Sequence, residues 1–281
     1  MKADRLIEST LRGQPYHSTD RRFAEERRRT LLSAAIVARR VLEIMPVRSV
    51  VDVGSGVGLW LKAFAESGVE RELGIDGDYT DRDRLEIDRA CFVGHDLNQP
   101  LAGLQLGRFD LAMSLEVGEH LLPSRADSLV DDLCALSDLV MYGAAIERQG
   151  GDYHVNEQWQ SYWVQKFVGR GYLAYDVLRP AIWSEPEVYY WYKQNTILYV
   201  KRGSAAHAHF EKRFHAPSTA MFDIVHPELY WRNLNVKRGL RRLEKNVRRV
   251  VAQLTGLPLN PPPKPLAADE HLSAEQRKTT P

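Results

Sequence analysis

Four short stretches of this chain carry side chains able to move protons or hold polar ligands. In FDLAMSLEVGEHL (Phe109–Leu121), Glu116, Glu119 and His120 crowd the end of an apolar run; in GGDYHVNEQ (Gly150–Gln158), Tyr153, His154, Asn156 and Gln158 follow a pliable glycine pair. Imidazole titrates near neutrality, so His154 is suited to take a proton from a hydroxyl; a structural histidine is the other reading of that position. Glu119 and His120 either take part in the same chemistry or fix the loop, with His120 packed beneath a ligand. Glu116 leaves the strand tip first and faces either a bound cofactor or an acceptor. Upstream, Asp76 ends GID, and Asp96 lies in HDL at the end of CFVGHDLNQP. A carboxylate at the first point can accept from both hydroxyls of a ribose, and one at the second from an adenine amino group.

These groups need a scaffold that gathers them. VVDVGSGVG (Val50–Gly58) is a β-branched run that breaks into closely spaced glycines and resumes at Leu59-Trp60-Leu61 with helical spacing. Such a hand-over from buried strand to helix lets backbone approach a nucleotide-like ligand, the glycines keeping Cβ atoms out of the way. The pattern is G-x-G-x-G, with Leu59 where the dinucleotide fingerprint wants glycine, and no Walker-type lysine follows. An adenosine-containing ligand other than a dinucleotide or a triphosphate is expected.

Alternating signals surround this bend. A helix is expected over Asp20–Met45, stopped by Pro46, its charged run Glu25–Arg29 forming a solvated face or a lid over the pocket. Strands are expected at Ser49–Val53, Arg71–Ile75, Arg89–Val93, Phe109–Leu115 and Leu139–Ala145, with helices between them. A helix over about Gln158–Val168 follows, then strands at Leu173–Trp183 and Gln194–Lys201 joined through a hairpin-length turn at Ser184–Glu187. Ligands of an open α/β sheet lie beyond the carboxyl ends of its strands.

The ordered motifs, VVDVGSGVG, GID, HDL and FDLAMSLEVGEHL, resemble those of class I S-adenosylmethionine-dependent methyltransferases over roughly residues 47–202. That resemblance implies a Rossmann-like α/β fold: a mostly parallel seven-stranded sheet with an antiparallel last strand and helices on both faces. It implies S-adenosyl-L-methionine as cofactor, held by Asp52, Gly54, Ser55, Gly56, Gly58, Asp76, Gly77, Asp96, Leu97, Leu115 and Glu116. His154, Glu119 and His120 are then the catalytic candidates. HVNEQ, YW, Trp183 and WYKQN are similar to bacterial methyltransferases associated with glycan or natural-product assembly, which makes a small hydroxylated or saccharide-like acceptor the expected substrate and O-methylation the expected reaction. Tyr153, Asn156, Gln158, Trp183 and Trp191 are the residues expected to meet it, the aromatics by stacking. Asn156 as a helix cap and some aromatics as core are the bland alternatives. No metal is expected, because Asp110 begins its strand instead of ending it. Methylation of nitrogen on a small molecule and a catalytically silent cofactor-binding scaffold are the competing functions.

Composition narrows the partners. A chain of 281 residues, 44% hydrophobic, can bury one sizeable α/β core. Its net charge of +1 supplies no global field for nucleic acid, and none is expected as a partner. Cys91 and Cys134 make neither a disulfide scaffold nor a zinc site. No signal-like or membrane-spanning run is present, and a cytoplasmic location is expected. The expected division is a helical extension at 1–46, the cofactor domain at 47–203, a helical appendage at 204–255 and a disordered tail at 256–281. Val236, Leu240, Leu243, Val247, Val250 and Leu254 draw an apolar stripe on a basic helix. The stripe leaves open self-association, peripheral membrane contact through 232–254, or simple packing on the domain.

Overall fold

The computed structural model of the chain describes residues 20–214, 221–234 and 247. The expected basic helix and the tail lie almost wholly outside the described residues, as does the segment before Asp20. By its packing the chain divides into two units, Met1–Leu229 and Tyr230–Pro281, and the sheet, cores and cavity described below belong to the first.

Helix α1 (Asp20–Ile44) leads into β1 (Ser49–Val53), the glycine bend and α2 (Leu59–Glu66). Then come β2 (Arg71–Asp76), β3 (Phe92–Gly94), β4 (Leu111–Leu115), α3 (Ala126–Leu136), β5 (Leu139–Gly143) and α4 (Gln160–Gly169). The chain continues with β6 (Tyr172–Tyr175), α5 (Leu178–Ile182), α6 (Tyr190–Asn195), β7 (Ile197–Lys201), α7 (Ala205–Glu211) and α8 (Pro227–Leu234). The strands form one seven-stranded sheet in the order β3-β2-β1-β4-β5-β7-β6. Pairings among β1 to β5 are parallel, while β7 runs antiparallel between β5 and β6. Strand order reverses between β1 and β4, so the crevice for a ligand opens at their carboxyl ends.

Side-chain alternation along each strand builds two cores, one on either face. Val50, Leu111, Met113, Leu139, Met141, Leu198 and Val200 point to one face, where Val37 and Val41 of α1 and Leu61 and Phe64 of α2 cover them. Val51, Val53, Ala112, Val140, Tyr142, Ile197 and Tyr199 point to the other, against Leu129 and Leu133 of α3 and Trp163 and Phe167 of α4. Phe167 stacks on Tyr199 with ring centroids 3.9 Å apart. Burial of each such side chain contributes about 1.5–3 kcal/mol, which offsets the entropy of ordering the sheet.

Two local expectations are corrected. The apolar-aromatic stretch after Leu173 is not one long strand: β6 ends at Tyr175, and two short helices, not a hairpin turn, carry the chain to β7. The long-strand reading fails where Arg179, 1% exposed, is drawn into a polar knot, donating to the carbonyls of Gln194 and Phe222 while pairing with Asp176. Arg89–Cys91 is a 3-10 turn capped by Asp88, not the start of β3, so Cys91 belongs to a turn. Among the described residues no helix is long and apolar enough to cross a membrane.

Candidate active site

The glycine bend is tied to β2 by the amides of Gly54 and Ser55, which both donate to the Ile75 carbonyl at 2.8 and 3.2 Å. Asp76, 6% exposed, then accepts from the Gly56 amide on Oδ2 at 2.6 Å and from its neighbour Gly77 on Oδ1 at 2.6 Å. The Tyr79 hydroxyl also donates to Oδ1, at 2.7 Å. The glycines divide their work. A Cβ on Gly54 would lie 2.2 Å from Val117, and one on Gly58 3.0 Å from Ile87, so these two serve packing inside the protein. A Cβ on Gly56, where φ is 53°, would meet nothing, and that position alone in the bend faces open space for a ligand. Asp52, buried behind the bend, is held well above the usual carboxylate range by burial and then by the Asp76 charge.

A cavity of about 510 Å³ opens over this bend. Gly54, Ser55, Gly56 and Asp76 form one end, and Leu115, Glu116 and His120, at and beyond the tip of β4, another part of the wall. Helix α1 contributes Glu26, Arg27 and Thr30, so its charged run borders the cavity and is not only a solvated face. Arg27 also pairs with Glu86, which Lys62 of α2 meets at 3.4 Å, fastening α1 over the bend. Trp60 and Tyr192 supply the aromatic wall, edge to face at 4.8 Å.

Glu116 is the most constrained acid on that wall. Its backbone is in the left-handed region at φ 56°, a strained conformation for a side-chain-bearing residue, held by its amide donating to the Gly143 carbonyl at 2.8 Å. Gln149 and Asn195 each donate a side-chain amide hydrogen at 2.8 Å, one to each carboxylate oxygen. Asn195 and Gln194 in turn both donate to Oε1 of Gln149 at 3.0 Å, and Gln194 accepts from the His226 amide at 2.8 Å. Burial raises the Glu116 carboxyl to about 7 against these stabilising amides.

Glu119 lies beside it, 1% exposed, pushed well above the carboxylate range by burial and by Glu116. Its Oε2 has no hydrogen-bond partner. The rings of His120 and His154 meet edge to face at 4.8 Å, and Glu157 contacts Nδ1 of His154 at 2.9 Å. Burial, and then His154, lower the His120 imidazole to about 4, so it is neutral at physiological pH. The three residues expected to do chemistry are therefore assembled together, with His120 on the cavity wall and the other two behind it.

Other expected contacts fall elsewhere. Asp96 is exposed and accepts from the Asn98 amide at 3.0 Å, while Leu97 is 6% exposed and packs in the core; neither lines the cavity. Asn156 does not cap α4: its side chain donates to the Gly118 carbonyl at 3.2 Å and accepts from Gln158 at 3.1 Å, so both are spent on joining the loop to the β4 tip. Tyr153 is exposed. Trp183 packs on His226 at 4.7 Å and borders a separate depression with Arg179 and Ile224. Trp191 stacks on Tyr189 at 4.0 Å, leaving Tyr192 as the aromatic of that helix on the cavity. Gln149, Asn195, Gln194, Tyr79 and Trp60 were not legible as site residues; the Gln-Asn pair in WYKQN was the visible signal, and for Glu26 and Arg27 of α1 it was the alternative of a lid over the pocket.

No protein-family model and no curated protein sequence matches the chain. Solved structures similar to it include an O-methyltransferase family protein from Burkholderia thailandensis, 12% identical with a TM-score of 0.46, the alignment covering 61% of this chain and 55% of that one. The pyocyanin biosynthetic protein PhzM is 17% identical over 69% of this chain and 61% of its own, with a TM-score of 0.48. Magnesium protoporphyrin IX methyltransferase from Synechocystis, with bound SAH, is 14% identical over 71% and 94%, with a TM-score of 0.45. The chain thus spans little more than half the length of the Burkholderia protein. The sheet order and the antiparallel β7 are those of the Rossmann-like class I methyltransferase fold implied by the motif order.

Proposed function

We propose that the protein is an S-adenosylmethionine-dependent methyltransferase acting on an oxygen of a small hydroxylated acceptor, of the kind found in glycan or natural-product assembly. One observation carries the reading: a single cavity has the Asp76 carboxylate and the open Gly56 backbone at one end and the clamped Glu116 and His120 at the other. When bound, S-adenosylmethionine supplies an electrophilic methyl group on a sulfonium. Gly56 gives the backbone close approach, and Asp76 is a hydrogen-bond acceptor for a ribose diol. Glu116 receives the proton of the acceptor hydroxyl, its carboxyl near neutrality being matched to that task. Gln149 and Asn195 fix the direction of its oxygens. Trp60 and Tyr192 limit water at the wall and offer faces for an acceptor ring. In-line alignment supplies much of the remaining acceleration.

The test is calorimetry with S-adenosylhomocysteine, followed by transfer of labelled methyl from S-adenosylmethionine to a panel of hydroxylated acceptors. Binding with a Kd in the micromolar range and labelled ether products are expected. Absence of any binding removes the reading, and products methylated only on nitrogen remove its oxygen half.

A further inference from the structure

We propose that Glu119, His120 and His154 form a binding site for a divalent transition-metal ion beside the cavity. One carboxylate oxygen and one ring nitrogen from each histidine lie within 4.8 Å of one another. A tetrahedral ion with bonds of about 2.1 Å spaces its ligands roughly 3.4 Å apart, a closure within reach of small side-chain rotations. Imidazole nitrogens with one carboxylate favour Zn²⁺, Co²⁺, Fe²⁺ or Mn²⁺ over Mg²⁺ and Ca²⁺, which prefer oxygen donors. These are the three residues expected to do chemistry, but their donors come from two segments more than thirty residues apart, a spacing that does not read as a metal-ligand motif.

An independent observation points the same way. Glu119 is 1% exposed and its Oε2 lacks any partner, a costly state for a buried polar atom. A cation would satisfy it. The surroundings resemble the outer support that metal ligands need: Glu157 holds Nδ1 of His154, which selects the tautomer whose Nε2 keeps its lone pair. Gly151 leaves room for that ring, since a Cβ there would lie 2.2 Å from Nε2. The two donor segments are tied together by the amides of Val155 and Asn156, donating to the Glu119 carbonyl at 2.8 and 3.0 Å. Three protein ligands leave at least one coordination position for another oxygen. Because His120 lies on the cavity wall, that oxygen is assigned to the acceptor hydroxyl, which the ion would acidify; this role, unlike the binding itself, rests on the proposed methyl transfer.

The experiment uses the full chain, stripped with chelator and titrated calorimetrically with Zn²⁺, Co²⁺ and Mg²⁺, with S-adenosylhomocysteine affinity measured in parallel. One Zn²⁺ or Co²⁺ per chain is expected, at least a hundredfold tighter than Mg²⁺. His154→Ala and Glu119→Gln should weaken it by at least a hundredfold, and Glu157→Ala, which removes only the outer support, by roughly 10–100-fold. The Co²⁺ form of the unmodified protein should show paramagnetically shifted imidazole N–H resonances, a readout independent of whether any variant folds. Affinity unchanged in the variants, no preference over Mg²⁺, or no shifted imidazole signals would overturn the site. Binding of S-adenosylhomocysteine without a metal site defeats this inference alone, whereas metal binding without S-adenosylhomocysteine defeats the proposed function alone.

Discussion

The hydroxyl of Tyr79 donates to Oδ1 of Asp76 at 2.7 Å, so the acid that the fold offers to a ribose diol is already engaged by a phenol from its own loop. Tyr79 is otherwise 75% exposed, and burial of its oxygen together with Asp76 raises the phenol well above its ordinary range. The ring lies over Gly77, and its hydroxyl stands as a competitor for the site. Tyr79→Phe should tighten S-adenosylhomocysteine binding about three- to tenfold, the worth of one hydrogen bond of about 1 kcal/mol. Calorimetry on the two proteins decides it; weaker binding in the variant would mean that the phenol holds the ligand instead of competing with it.

The bend offers a matched pair of substitutions with opposite signatures. Gly56→Ala places a methyl group in open space at φ 53°, so it should cost only about 1 kcal/mol in thermal stability while lowering cofactor affinity at least tenfold. Gly54→Ala drives its Cβ to 2.2 Å from Val117 and should instead show a large loss of stability. Melting curves alongside binding isotherms separate the two; equal stability losses would contradict the division of roles.

Much of this was readable from the chain because it depends on local rules. β-branched runs alternating with helical periods gave the sheet, and closely spaced glycines after Val53 gave the bend. Asp76, Leu115 and Glu116 followed from their places at strand ends. What was not readable depends on distant partners. For Asp96, its place at a strand end does not report that its carboxylate accepts from the Asn98 amide or that it lies within electrostatic reach of the Tyr79 phenol. Trp183 closed an expected strand and Trp191 lay just before the next, but the segment folds as two short helices and both rings meet other neighbours. The Gln149–Gln194–Asn195 clamp joins residues 45 and 46 positions apart, which no periodicity reports.

The buried pair of Arg125 and Asp132 supports the loop that follows β3. Arg125 donates through Nε to the Leu97 carbonyl at 2.9 Å and through Nη1 to Ser128 at 2.7 Å, while Asp132 accepts from the Leu101 amide at 3.1 Å. The side chains are 3% and 8% exposed. Removing one partner strands the other charge, so Asp132→Ala should destabilise the fold by about 3–5 kcal/mol. Replacing both, Arg125→Met with Asp132→Leu, should recover much of that loss. Denaturant unfolding of the three variants checks the coupling, and additive losses would show that the pair does not act as one unit.

Glu116 also sets a pH dependence whose sign is fixed by its surroundings. Its carboxyl rises from 4.5 to about 7 on folding, with burial as the main cause, so the folded chain binds a proton that the unfolded chain releases earlier. Stability from this group is fully present below pH 4.5 and is lost as pH rises through 7, a change on the order of 3 kcal/mol. Glu119, raised for the same reason and by Glu116 itself, extends the loss to higher pH. Over the same window the ionised fraction of Glu116 grows, so turnover by the proposed base should rise while the melting temperature falls. In Glu116→Gln the slope of melting temperature between pH 5 and 8 should flatten, whatever its absolute value, and the rise in turnover should disappear. A melting temperature in the parent protein that climbs between pH 5 and 8 while flattening in the variant would reverse the sign assigned to this carboxyl.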